Sequence, residues 1–330
     1  MTAVHRLTEK ERIFLAHAGV SAEMTLKEIS KRTGLREHAV RYTRDSLISD
    51  GYIRPVWLVD MYRLGYTDLG IFFTRGTETS GVRKKFEDKI QAHPSVTWFA
   101  KMGGAYQYGL TLNIRKMHDV EDFYAALRPT EAGAYFKKTV RVGFEWHNLS
   151  PTYLYPEVRQ RQKVILSTKN DPVSIDAMDG VVIQALTAHP GASLSEMARA
   201  ASMSVSTFTY RFDKLRELGI VNSLIYLLDI ERLGIQQFRL LIVDRGLSKE
   251  QRAQLLKSLT EHPGVVAIIL CTGSWDYEVR FETETVSDVD AFAQTLYDEL
   301  GFGIDAVLTV QQFRVLKRRS HPAEAHAKSR

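Results

Sequence analysis

At 330 residues the chain exceeds the usual length of one domain, which predicts two or three domains with enough apolar sequence to bury cores without cross-links. A lone cysteine, Cys271 among Ile268, Ile269 and Leu270, excludes an internal disulfide and predicts a buried thiol; with no apolar run near the roughly 20 residues of a membrane span and no signal-like stretch in residues 1–10, a soluble cytoplasmic protein without a membrane partner is expected. The net charge of +5 is uneven, with 26 Lys and Arg against 18 Asp and Glu in residues 1–168 and 18 against 21 in residues 169–330, which permits a polyanionic partner without establishing one.

The first stretch of chain predicts three helices, over residues 8–18, 25–33 and 36–49, the last ending before Gly51. Thr25 and Glu28 have capping-box spacing. Residues 52–59 read as a short strand, so residues 1–60 are expected to form a winged helix-turn-helix domain with Thr33-Gly34-Leu35 as its turn. Residues 61–150 then predict strand 66–74, helix 82–92, strands 96–102 and 108–114, helix 120–127 and strand 137–145, a ferredoxin-like βαββαβ order. Residues 151–173, with Pro151, Pro156, Pro172 and a polar run at 159–163, read as a linker.

After the linker the pattern repeats. A shift of 169 superimposes Arg63-Leu64-Gly65 on Arg232-Leu233-Gly234, His93-Pro94 on His262-Pro263, Gly104 on Gly273 and Tyr108 on Tyr277, while upstream a shift of 168 pairs Glu28 with Glu196 and Gly51 with Gly219. Residues 174–230 are thus a second winged helix-turn-helix, residues 231–316 a second ferredoxin-like domain, and residues 317–330 a basic tail. That tail is either a phosphate-binding arm or a solvated terminus. The fold class expected is α+β, with two winged heads alternating with two βαββαβ domains, and the second copy covering the open sheet face of the first. The recurring His-Pro pairs suit helix ends, where a cation lies well against terminal carbonyls.

In the second head Phe208, Phe212 and Leu215 share an inward stripe, which leaves Ser204, Ser206, Thr207, Thr209, Tyr210 and Arg211 facing outward, suited to phosphate oxygens and base edges. Ser204 or Ser206 equally serves as a helix cap. The equivalent face of the first head offers Arg36, His38, Arg41 and Tyr42, whereas Arg44 aligns with the core position of Phe212 and is expected to snorkel or pair with an acid. The sensor domains carry Gly103-Gly104 and Gly273-Ser274-Trp275-Asp276. Backbone amides at these glycines suit a carboxylate and Asp276 an ammonium group, as an amino acid would need; the alternative is that Asp276 bonds its own turn.

The string from Ser204 to Ile220 and the Gly273-x-x-Asp276 loop, in this domain order, resemble the Lrp/AsnC (feast/famine) transcription regulators, over about residues 8–146 and 174–316. The resemblance implies a sequence-specific regulator that binds double-stranded DNA, with effector and dimerisation (RAM) domains that answer to a small molecule, an amino acid above all, and with the repeat acting as an intramolecular pseudo-dimer; further homo-oligomerisation is compatible with it. Effector candidates are Gly103, Gly104, Gly273, Ser274 and Asp276, although Gln107 replaces the aspartate in the first copy. Two other classes compete. Sirohaem decarboxylases resemble the same double architecture, but the histidine expected before their Arg-Leu-Gly turn is missing at 60–65 and 229–234, leaving His147 as the one to watch; a non-DNA-binding scaffold or heteromeric partner is the other. No metal-ligand spacing, Walker loop or Gly-x-Ser-x-Gly occurs, so neither enzyme activity nor a cofactor is expected.

Overall fold

The computed structural model describes residues 4–76, 79–127 and 135–322. The order α-α-α-β-β-α-β-β-α-β occurs twice. Its first pass is α1 (Glu9–Ala18), α2 (Leu26–Thr33), α3 (Glu37–Ser49), β1 (Ile53–Val59), β2 (Thr67–Arg75), α4 (Ser80–Ala92), β3 (Val96–Gly103), β4 (Tyr108–Ile114), α5 (His118–Leu127) and β5 (Tyr135–Leu149). A short β6 (Lys163–Ser167) precedes the second pass: α6 (Ala177–Ala188), α7 (Leu194–Ala200), α8 (Val205–Glu217), β7 (Val221–Leu228), β8 (Gln236–Asp244), α9 (Lys249–Glu261), β9 (Val265–Gly273), β10 (Tyr277–Thr283), α10 (Ser287–Leu300) and β11 (Ile304–Arg318).

Capping boxes start the head helices at Thr8, Thr25, Asp176 and Ser193, each satisfying amides that the first helical turn leaves open. Phe208, Phe212 and Leu215 are buried as their spacing predicts. The wings differ from expectation. Instead of serving separate heads, β1 and β7 pair with each other antiparallel, from Ile53 opposite Leu228 to Val59 opposite Val221. Trp57 of β1 crosses into the second head and meets Phe212 edge-on at 5.4 Å, while Tyr226 of β7 packs on Phe14 of the first at 5.7 Å. Each head core is therefore completed by a strand from the other copy. The repeated Arg-Leu-Gly turns work the same way: Arg63 donates to the Leu218 carbonyl behind α8, and Arg232 to the Asp50 carbonyl behind α3. A guanidinium placed on the exposed carbonyls of a helix end is stabilising.

The remaining strands close on themselves. Their order is β2-β4-β3-β11-β8-β10-β9-β5, and β5 pairs back onto β2, with β6 attached outside β5. The last strand of each copy bridges to the other, β11 between β3 and β8 and β5 between β2 and β9. One face of the strands packs against α4 and α5 on one side and α9 and α10 on the other. The inward face holds an aromatic cluster of Phe72, Trp98, Trp146 and Trp275, and next to it a buried ion triad. Arg141, 1% exposed, donates to Asp68 at 2.7 Å and to Glu278 at 2.8 Å, joining the two copies through the interior. Gly70 makes room for it, since a Cβ there would fall 2.5 Å from the Arg141 Nε.

The linker is built into this framework. Besides β6, its Arg161 donates to the carbonyls of Ser150, Thr260, His262 and Pro263, holding residues 151–162 against the end of α9. The basic tail is also reassigned. Arg314 to Arg318 belong to β11, the Lys317 ammonium donates to the His93 carbonyl at 2.6 Å, and residues 323–330 lie outside the described residues.

The paired histidines are not the cations their position suggests. His262 sits on Phe292 at 4.1 Å, and burial, aided by nearby Arg161, holds its ring down to about 4, so it is neutral at pH 7; the Gly264 amide donates to its Nδ1. Burial lowers His93 in the same direction, against Phe123. Between the unfolded value of about 6.5 and the folded one, the unfolded chain binds the extra proton, so stability is present above pH 6.5 and falls as the pH drops through 4. Thermal melts across this range should show a smaller acid-induced drop in Tm for His262→Gln than for the unaltered protein.

Candidate functional site

The helix after each turn presents the residues that the sequence singles out. On α3, Arg36, His38, Arg41 and Tyr42 are all exposed, Tyr42 at 76%, opposite the buried Val40, Thr43 and Leu47. Arg44 pairs with Asp45 at 2.9 Å, consistent with its inward register. On α8, Ser204, Ser206, Thr207 and Tyr210 are exposed and Thr209 is half-buried. Ser204 is the N-cap, accepting the Thr207 amide at 3.1 Å, and its hydroxyl meets those of Ser206 and Thr207 at 3.0 and 2.8 Å. Capping and an outward hydroxyl edge are thus the same feature.

Arg211 stands apart from this set. Its guanidinium bonds Asp176 at 2.8 Å and Asp179 at 2.7 Å, and the Lys214 ammonium adds a contact to Asp179 at 2.8 Å. Asp179 is fully buried, so Arg211 anchors α8 to the start of α6 rather than standing outward.

The glycine-aspartate loops are likewise tied down. Ser274 donates to the Val140 carbonyl from both its amide and its hydroxyl, at 3.0 and 3.1 Å. Gly273, at φ 127°, passes so close that a Cβ would meet the same carbonyl. Asp276 accepts the Asp244 amide at 2.9 Å, and in the first copy Gln107 accepts the Arg75 amide at 2.9 Å. Positions 75 and 244 are equivalents, which gives the Gln-for-Asp replacement its reason: the position needs only an acceptor for the end of the preceding strand. Gly103 lies under the Phe313 ring, and Gly104, at φ 94°, turns the loop. Of the five residues expected to bind an effector, Ser274 and Asp276 fasten strand ends, and none of the five lines the cavity beneath the β1/β7 ribbon.

That cavity, of about 470 Å³, lies between the β1/β7 ribbon and the polar end of the barrel interior. Five arginines line it: Arg54 from β1, Arg239 from β8, Arg280 from β10, Arg318 from the end of β11 and Arg319 just after it. Arg318 forms no ion pair among the described residues; burial, with repulsion from Arg280, Arg239 and Arg54, pushes it down to about 9. Arg239 is brought to about 10 by burial despite Glu278 at 3.3 Å. Sequence reasoning missed this site, although the alternation of apolar residues with Glu278, Arg280 and Glu282 along β10 marks its wall. His147 is elsewhere, buried at the end of β5 with its Nε2 2.7 Å from Glu145.

Heads, shared ribbon and closed sheet define a winged helix-turn-helix protein of mixed α/β architecture. Residues 175–222 match a family described as winged helix-turn-helix DNA-binding. The HTH-type transcriptional regulator FL11 of Pyrococcus horikoshii is 26% identical over 120 residues, covering 36% of this chain and 78% of its own; the regulatory protein AsnC of Haemophilus influenzae is 24% identical over 130, covering 38% and 86%. These partial matches make the chain similar to regulators of the Lrp/AsnC type. The crystal structure of the siroheme decarboxylase NirDL, in co-complex with an iron-uroporphyrin III analogue, shares the fold at a TM-score of 0.56 and 12% identity, over 94% of this chain and 93% of that one.

Truncating Arg211 to alanine leaves buried Asp179 with one cation fewer. Urea unfolding should register a loss of about 1–3 kcal/mol, against less than about 0.5 kcal/mol for exposed Tyr210→Ala.

Proposed function

We propose that the protein is a sequence-specific, DNA-binding transcription regulator in which one chain acts as an intramolecular pseudo-dimer, answers to a small metabolite and has no catalytic role. The observation that carries this reading is the pair of exposed polar faces on α3 and α8, held on heads that share their cores through β1 and β7. Hydroxyls, a phenol and guanidinium groups on the second helix of such a motif suit phosphates and major-groove base edges. The heads are unequal. Residues 8–60 hold nine cations and eight acids, residues 174–229 four and six, and Arg211 is already neutralised within its head. The first head therefore supplies most of the phosphate attraction, and the hydroxyl edge of the second supplies position.

Electrophoretic mobility shift on the DNA upstream of the chain's own gene, with a salt series, tests this. Arg41→Ala should weaken binding about tenfold and reduce the salt slope by about 1, whereas Arg211→Ala should leave that slope unchanged. Absence of any shift at low salt would remove the regulator reading.

A siroheme-decarboxylase-like enzyme is the second reading, favoured by the two-way coverage of NirDL across both copies. The residues before each Arg-Leu-Gly turn, Asp60-Met61-Tyr62 and Asp229-Ile230-Glu231, supply no histidine. Release of CO2 from siroheme by the purified chain would favour the enzyme; its absence alongside a DNA shift would favour the regulator.

A further inference from the structure

We infer that the chain reads a DNA site without dyad symmetry: two unlike half-sites, one bearing a G·C pair under α3 and one rich in thymine under α8, bound in a single orientation. This rests on the regulator reading and adds to it the kind of operator.

The two reading helices occupy one backbone frame. At the shift of 168, Glu37–Ser49 falls on Val205–Glu217 residue for residue, and the N-caps share an extended backbone, φ −66° and ψ 145° at Arg36 against −65° and 149° at Ser204. Buried positions coincide as well, Val40 with Phe208 and Leu47 with Leu215. Both helices therefore turn the same positions outward.

Across that outward face the tyrosines alone are kept in kind: Tyr42 and Tyr210 match, exposed at 76% and 71%. Bases are contacted chiefly from the N-terminal end of such a helix. There the first head carries Arg36, Glu37 and His38, and the second Ser204, Val205 and Ser206, all exposed. A guanidinium fork suits the O6 and N7 of guanine, and a carboxylate accepts from the cytosine amine. The second head has no ionised side chain at these positions. Its Val205, 48% exposed, and its Thr207 offer methyl groups suited to the C5-methyl of thymine, while Ser206 supplies a hydroxyl.

The heads cannot trade places. A homodimer meets a palindrome with two copies of one helix, whereas each chain here brings one helix of each kind, and the β1/β7 pairing, with Trp57 against Phe212, fixes them in one assembly. A palindrome built from either half-site would leave one head on bases it does not match.

Selection from a randomised duplex pool with the full chain, followed by sequencing, tests this. The enriched site should have two unlike halves, one with a G·C pair and one with thymines. Duplexes carrying either half twice, as a palindrome, should bind at least about tenfold more weakly than the selected site, since each mismatched base pair typically costs about tenfold. Arg36→Ala should relax base preference in the G·C half alone, and Val205→Ser in the thymine half alone; both side chains are exposed, so thermal melts of the variants should match the unaltered chain. A palindromic consensus, equal affinity for the palindromes, unchanged preference in both variants, or loss of preference in both halves from either substitution would overturn the inference while leaving the regulator reading in place. No enrichment together with no mobility shift at low salt would remove both.

Discussion

Trp57 belongs to the first head by sequence and to the second by packing, and this exchange is the constraint on which the rest of the molecule depends. Because β1 completes the α6–α8 core and β7 the α1–α3 core, neither head reaches its full burial alone. Apolar burial is the dominant favourable term in folding, so the strands cannot separate without opening both heads. The Arg63 and Arg232 contacts add to the lock, each closing a helix end in the opposite copy. The spacing between α3 and α8 is thereby set by backbone pairing, not by a flexible connector.

The same logic of exchange governs the barrel. Letting β5 and β11 bridge the copies removes the open edges that each four-stranded sheet would otherwise present. Closure has an electrostatic cost. The inward faces carry Asp68, Arg141, Arg239, Glu278 and Glu282, and once enclosed these groups must satisfy one another. They do so near Arg141 and less completely towards the ribbon, where positive charge is left over. The cavity lies at that transition from a balanced interior to an unbalanced one.

Much of this was legible in the residues. Helical stripes, capping pairs, the recurring Arg-Leu-Gly turns and the βαββαβ order all depend on local spacing, and most appear within a residue or two of expectation, although β5 runs on to Leu149. What was hidden depends on partners distant in sequence. Alternation along Tyr277-Glu278-Val279-Arg280 correctly predicts a strand with one apolar face, but it cannot say whether the charged face meets water or the inside of a barrel. Arg211 looked outward because α8 offers it no acid one helical turn away, and its partners Asp176 and Asp179 lie about thirty residues earlier. Ser274 and Asp276 were read by the chemistry they can offer a ligand, whereas strand ends already use it. The histidines at 93 and 262 were placed correctly at helix ends, yet aromatic neighbours from later elements set their charge.

The pairing of Trp98 with Arg318 joins residues some 220 positions apart, and this bears on how the protein is made. When the first copy has left the ribosome, its head lacks Tyr226 and its sheet lacks β11, so hydrophobic surface meant for the interior remains uncovered until nearly the whole chain is synthesised. Contacts of such long range slow folding and extend the time in which open strand edges can find wrong partners. A chain that carries both halves of its assembly avoids searching for a second molecule, but it does not complete either half until translation has reached β11.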